Sequence, residues 1–154
     1  MTRRAGTGVY YMNTPIHETD VSVELLASAV RTSGGTGTEV QSDYIEQARA
    51  LQFVLNISAA AVPTSLDVEI QAKIGNLWYE LAQFARQTGT NILVATVKRG
   101  IGGMTPALVC ATDPAVAGTA QVNNETAEWG NTLRVKWAMA ATSFTFSVTA
   151  YPLR

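Results

Sequence analysis

Apolar and polar residues alternate with a period of two over most of this chain. Leu133, Val135 and Trp137 interleave with Arg134 and Lys136, and Phe144, Phe146 and Val148 interleave with Thr145 and Ser147. Such alternation places one set of side chains on a buried sheet face and the other in water. The break between the two runs, residues 140–142, is short enough for a turn, so the pair predicts a closing β-hairpin. Earlier in the chain, Val21, Val23, Leu25, Ala27 and Ala29 alternate with Ser22, Glu24 and Ser28. Leu51, Phe53, Leu55 and Ile57 mark the inward face of a second strand, and Leu66, Val68 and Ile70 that of a third. Gly75 and Asn76 separate this third strand from residues 77–81. Glycine first in a two-residue connection permits the positive φ of a type II′ turn, which predicts a hairpin here.

The rest of the body follows the same grammar. Residues 32–38 form a polar, turn-rich loop, and residues 43–48 are long enough for a helical turn only, since a helix this short is marginal alone. Residues 87–90 make a turn before the apolar run 91–97. Glycines at 100, 102 and 103 break that run and lead to a strand near residues 105–111. Residues 112–130 are irregular and long for a loop in a compact domain, and such loops commonly contact a partner. About eight strands result. They predict an all-β fold, a two-sheet antiparallel sandwich with a jelly roll as leading topology. An immunoglobulin-like sandwich ranks second, because a single cysteine cannot supply the usual Cys–Trp–Cys framework.

Residues 1–20 stand apart as an N-terminal extended arm before a sandwich domain at 21–154. The arm is rich in Gly, Thr and Arg, and its one apolar cluster is Val9, Tyr10, Tyr11 and Met12. Alone it buries too little to become ordered. It would be held by a neighbouring subunit or by folding back on its own domain. With Arg3 and Arg4, the cluster makes the arm a candidate partner-binding segment.

Composition sharpens this picture. Of 154 residues, 47% are hydrophobic and 15% charged, against roughly 25% charged in an average soluble protein. Apolar or neutral area is therefore left outside the core, and such area is often covered by a partner. The net charge is −1, which argues against a nucleic-acid binder. Eight of the eleven basic residues are arginines, a residue favoured at interfaces. No apolar stretch reaches membrane-span length, and the basic N-terminus lacks the apolar core of a secretory signal. The chain is expected to be made in the cytosol and, if it leaves the cell, to do so by a route such as lysis.

Five runs, residues 27–32, 63–71, 77–82, 133–137 and 142–148, resemble in order and spacing the small virion proteins of tailed bacteriophages. The resemblance spans residues 27–148 and implies a β-sandwich built into the phage particle, such as a head decoration or cement subunit. Such subunits bind the outside of an assembled shell of major capsid protein, often as homo-oligomers, with a trimer expected here. They reinforce the joints between capsomers. The implied location is the virion head surface, after synthesis in the host bacterial cytoplasm. The arm matches no family phrase, so its docking role rests on composition. A carbohydrate- or receptor-binding sandwich module of a phage tail or fibre is the alternative.

Catalytic constellations fail on inspection, so no enzyme activity and no cofactor are expected. His17, the only histidine, sits in the arm far from Cys110, and one His with one Cys cannot fill a zinc site. Cys110 lies in an apolar run and reads as a buried, inert thiol. Asp67 and Glu69 share one strand face, which suits paired-carboxylate chemistry but reads as the solvated face opposite Leu66, Val68 and Ile70. Glu125 and Glu128, in the long loop with Asn123 and Asn124, offer carboxylates without the spacing of a calcium loop. The glycine-rich segments at 6–8, 34–37 and 100–103 lack the Lys-Ser/Thr of a phosphate loop. Among the aromatics, Trp137 is in phase with the core, one of Trp78 and Tyr79 must face outward, and Trp129 is the best platform for a sugar ring or a buried interface anchor. The loop residues Asn124, Glu125, Glu128 and Trp129 are thus the candidate partner or ligand site.

Overall fold

The strongest alternation in the sequence builds the centre of one sheet. In the computed structural model, which describes residues 21–100, 122–123 and 126–154, Ser143–Leu153 forms a strand whose every second residue is buried. It lies antiparallel to Ala50–Ala61, so Phe144, Phe146, Val148 and Ala150 meet Leu51, Phe53, Leu55 and Ile57 on one inner face. In chain order the elements are β1 (Val23–Arg31), β2 (Gly35–Thr36), β3 (Val40–Gln41), α1 (Asp43–Gln47), β4 (Ala50–Ala61), β5 (Ser65–Ile74), β6 (Leu77–Gln83), β7 (Asn91–Arg99), β8 (Val122–Asn123), β9 (Thr126–Ala127), β10 (Thr132–Ala140) and β11 (Ser143–Leu153).

Two sheets face each other, ordered β9-β7-β4-β11-β1 and β2-β10-β5-β6-β8, with β3 also on β10. All pairings are antiparallel apart from the two-residue contact of β9 with β7. The pairing is nested: β1 with β11, β2 and β3 with β10, β4 with β7, β5 with β6. First strand joins last, and so inward to a central hairpin, which is the winding of a jelly roll. The all-β sandwich expected from the sequence is therefore present, with eight principal strands among the described residues once β2 and β3 count as one. Leu66, Val68, Ile70, Leu81, Phe84, Leu133 and Val135 close the core from the second sheet.

The β5–β6 hairpin forms as expected. Gly75 takes φ 59°, and Val62 is the one non-glycine residue with positive φ among the described residues, so Asn76 is not left-handed and the type II′ pattern fits. The helical turn also forms. The Ser42 side chain caps it by accepting from the Tyr44 N–H, and Ile45 anchors it in the core.

Three expectations are corrected. Strands β10 and β11 are not a hairpin, because they belong to opposite sheets. Alternation marks which face is buried but not which neighbour pairs. Here the two-residue link crosses the sandwich beside the β4–β5 link, with the Thr64 N–H donating to Ala140 O (2.9 Å) and the Thr142 N–H donating to Ala61 O (3.0 Å). Strand β1 keeps its place, yet of its apolar residues only Leu25 is fully buried. Bulges opposite Phe146–Thr149 shift its phase, and as an edge strand it leaves Val30 outside. Trp137 is half-buried at the rim of the core instead of inside it. Its indole N–H donates to Ser33 O, its ring meets Phe146 edge-on, and the Arg31 guanidinium lies 5.1 Å from its centroid. Gly35 is pressed against that ring, where a Cβ would fall 2.8 Å from Cζ2. The glycines at 34, 35 and 37 thus allow close packing against Trp137 and Leu26.

Pro152 lies at a place where its ring costs no hydrogen bond. Leu153 O accepts from the Arg49 N–H on the β4 side, so the alternating Pro152 faces the β1 side. There the ladder has already ended at the Ala150–Val23 pair, and the missing N–H has no partner to lose.

Candidate interaction surfaces

The outer faces of the two sheets differ in chemistry. On the β5 sheet, cross-strand register groups outward side chains in rows: Glu80, Gln71 and Arg134; then Gln83, Glu69 and Lys136. The expected solvated face opposite Leu66, Val68 and Ile70 is in fact buried. Asp67 is 2% exposed, and Glu69, Gln71, Gln83 and Lys136 are also buried. Buried polar groups persist only when paired, and these are. Arg86 forks onto Asp67 with bonds of 3.1 and 2.7 Å, and that hydrogen bonding raises the Arg86 guanidinium above its ordinary value. Gln71 donates to Glu69 and accepts from Arg134 Nε at 2.6 Å. Arg134 reaches from β10 across β5, its guanidinium 4.0 Å from the Trp78 ring centroid on β6. Trp78 is thus half-buried and roofed by cations, while Tyr79 points into the core. The pair Asp67 and Glu69 is part of a structural network, not an open pair of acids.

At one end of the sandwich, Arg99 ties three elements together. Its guanidinium donates to Ala48 O (3.0 Å), Glu46 O (2.7 Å), Trp129 O (3.0 Å) and Glu128 Oε1 (3.0 Å). It also stacks 4.3 Å from the Trp129 ring centroid. The indole N–H of Trp129 donates to Ile45 O, and the residue is only 4% exposed. Trp129 is therefore a core residue of its own domain and not a free platform for a sugar ring. Burial hides it because the segment before β10 folds over α1. Glu128 is exposed and held by Arg99. The Tyr79 hydroxyl donates to Glu128 O. Burial, reinforced by the Glu128 charge and opposed by Arg99, pushes that phenol up to about 12.

The outer face of the β4 sheet is open. Its long strands present Gln52, Val54, Asn56, Ile92, Val94, Thr96, Thr145, Ser147, Thr149 and Tyr151 outward, with charge only at Glu24 near one edge and Lys98 near the other. Ile92 is 64% and Val94 54% exposed. Below this face, at the end shared with Arg99, an open cleft of about 510 Å³ is lined by Arg49, Ala50, Lys98, Arg99, Leu153 and Arg154. All three of its arginines are engaged: Arg49 donates to Arg154 O, Arg154 to Gln47 Oε1, and Arg99 to Ala48 O, Glu46 O and Trp129 O. Sequence reasoning missed both features. The cleft draws its cations from three distant segments, and the run 91–97 shows no polar alternation to mark an exposed side.

Of the residues expected to contact a partner or ligand, Glu128 and Trp129 fall together at the Arg99 latch. Arg3, Arg4, Val9, Tyr10, Tyr11 and Met12 of the arm, Asn124 and Glu125 of the loop, and Cys110 and His17 lie outside the described residues. Among the described residues, no group of three or more His, Cys, Asp or Glu is placed to hold a metal ion, and no helix is long and apolar enough to cross a membrane.

Fold and surfaces together define an all-β jelly-roll sandwich with one polar face networked by hydrogen bonds and ion pairs and one open neutral face. No family model, curated protein or solved structure matches the chain.

Proposed function

We propose that this chain is a non-enzymatic structural protein of a tailed-phage virion, a head decoration subunit that binds and stabilises the assembled shell. Its partners in this reading are the major capsid protein and further copies of itself in a homo-oligomer, a trimer in the arrangement that the family resemblance implies. The arm at residues 1–20 adds docking contacts. The observation that supports the reading most is the open outer face of the β4 sheet, where Val30, Ile92 and Val94 are exposed on a nearly uncharged surface. Neutral faces of this kind are suited to burial against a neighbour, because little desolvation of charge opposes contact. Several modest contacts on one oligomer then multiply through effective concentration, by about 10²–10⁴.

The test uses the full chain. It should co-purify with tail-free heads and should bind shells that lack it, and deleting residues 1–20 should weaken occupancy without unfolding the sandwich. Density for this chain on the tail, or failure to bind bare shells, refutes the head role. Unchanged occupancy after the deletion removes the arm from it. The alternative of a glycan- or receptor-binding tail module predicts retention on a glycan array, and Trp129, being buried, offers that reading no stacking surface.

A further inference from the structure

Among the described residues, one edge of the β4 sheet is left without a partner over most of its length. Strand β7 pairs with β4 along one side, from the Ala50–Lys98 pair to the Ile57–Asn91 pair. On its other side, among the described residues, only β9 pairs with it, at Lys98 and Arg99. The Arg99 N–H donates to Arg49 O, which fixes the phase of the strand. Odd-numbered residues turn their backbone groups to β4, so Ile92, Val94 and Thr96 turn theirs to the open edge. The Ile92 N–H is met by its neighbour's side-chain oxygen, Asn91 Oδ1, at 2.9 Å. No such capping bond meets Val94 or Thr96 among the described residues.

Proteins ordinarily guard such an edge with a lysine, a proline or a bulge. Residues 91–97 contain no charge and no proline, and their register with β4 runs without a bulge. The side chains at 92 and 94 are exposed and apolar as well. A neutral edge that runs without a bulge and is uncovered among the described residues is a template for one more strand.

We infer that the partner is a second copy of this chain, joined β7 to β7 across a two-fold axis at Val94. The free edge is bounded by Asn91 at one end and by the β9 contact at Lys98 at the other, so its midpoint is Val94. An antiparallel ladder centred there sets Val94 opposite Val94 and Ile92 opposite Thr96 in both directions. These are the residues whose N–H and C=O groups face outward, so the Val94 pair exchanges both hydrogen bonds, and the Ile92 N–H gives up Asn91 Oδ1 for the Thr96 carbonyl of the second copy. The axis opposes no like charges, because Lys98 falls opposite Thr90 and Arg99 opposite Gly89. On the outer face Val54 already neighbours Val94, so the contact runs a row of four valines across both copies, a pairing that β-branched side chains favour. A contact of this kind is isologous and closes on itself. It is separate from the threefold contact of a decoration trimer and stands on the edge geometry, not on the head-binding reading.

The full chain is followed by sedimentation velocity at tens of micromolar. The expected particle holds an even number of copies. Val94→Lys sets two like charges face to face on the axis and should halve the mass, while circular dichroism keeps the wild-type sheet signal because Val94 is a surface residue. In a Cys110→Ser background, Val94→Cys should cross-link rapidly on mild oxidation, and Val30→Cys, exposed on the far edge strand, should not. A wild-type monomer or plain trimer overturns the inference, as does a Val94→Lys mass equal to wild type or equal cross-linking at 94 and 30. None of these readouts involves a phage shell, so the head role can fail while this contact stands, or the reverse.

Discussion

Replacing Arg99 by methionine tests the energetic reading of the latch at the end of the sandwich. Methionine keeps most of the apolar stem and removes the guanidinium, so the loss reports the charged head and not lost packing. That head is bonded to the carbonyls of Glu46, Ala48 and Trp129 and stacked on the Trp129 ring. Hydrogen bonds from a charged donor contribute about 1.5–3 kcal/mol each when buried. The Arg99 side chain is 27% exposed, so water recovers part of each bond, and ~1 kcal/mol per carbonyl is the appropriate scale. The Glu128 ion pair faces solvent and adds ~0.5 kcal/mol, and the ring contact adds ~1 kcal/mol. These terms are not additive, and a loss of ~3 kcal/mol is expected for Arg99→Met. Arg99→Lys keeps the charge but not the planar fork, and about half of that loss should remain. In urea, with a slope of about 2 kcal/mol/M, the methionine variant should unfold ~1.5 M earlier with an unchanged slope. A double-mutant cycle with Trp129→Phe should return a coupling of ~1 kcal/mol. Equal midpoints for wild type and Arg99→Met, or for Arg99→Lys and wild type, would refute the argument that the fork holds α1, β7 and the segment before β10 together.

Other outcomes follow from single positions. The Tyr79 phenol is raised to about 12 in the folded state and ionises near 10 when unfolded, so its contribution is fully present below pH 10. It falls as pH rises from 10 to 12, because the folded state then holds more protons than the unfolded; the loss is ~2–3 kcal/mol, and Tyr79→Phe should remove this alkaline limb from a series of urea midpoints. Val62 is a β-branched residue at φ 46° and is highly exposed, so Val62→Gly relieves strain without losing packing. Its stability should stay level or rise by up to ~1 kcal/mol, and a loss beyond ~1 kcal/mol in thermal unfolding would contradict the strain. Ending the chain before Ser143 removes the strand that joins β1 to β4, and the truncated product should lack a cooperative thermal transition and be cut rapidly by protease.

The sequence made the inner surface of this fold legible and the outer surface opaque. Leu51, Phe53, Leu55 and Ile57, and Phe144, Phe146 and Val148, announce their burial because alternation is a direct imprint of the pleat. The same rule misread Asp67 and Glu69, since an alternating polar residue is assigned to water when nothing in the string reveals Arg86, Gln71 or Arg134 above it. Those partners arrive from the segment after β6, the same strand and β10, and only the tertiary fold brings them together. Trp129 was misplaced for a related reason: an irregular segment shows no period, so its contact with Ile45 and Arg99 leaves no local trace. Leu133 and Phe144 belong to strands separated by two residues, yet they pair with different sheets. A short break is compatible with a hairpin and with a corner, and side-chain pattern does not distinguish them.

The nested winding also explains why the two outer faces can differ so sharply. Each sheet alternates its strands from the early and late parts of the chain: β4, β7, β11 and β1 in one, β10, β5 and β6 in the other. A face is therefore composed from segments far apart in sequence, and its chemistry is set by which residues occupy the outward positions of every second strand. On the β5 sheet those positions hold Glu69, Glu80, Arg134 and Lys136 in adjacent rows, so opposite charges lie side by side across strands, while Asp67 takes Arg86 as its partner. On the β4 sheet, between Glu24 and Lys98 near the two edges, they hold neutral residues such as Thr, Ser, Asn, Gln, Val and Ile, which neither attract nor repel at long range. A neutral face gives a neighbour no electrostatic steering, so selectivity there must come from shape and from backbone hydrogen bonds at the edge. That places the specificity of any contact on this side of the molecule in the register of a strand, where a shift of one residue exchanges every buried side chain for an exposed one.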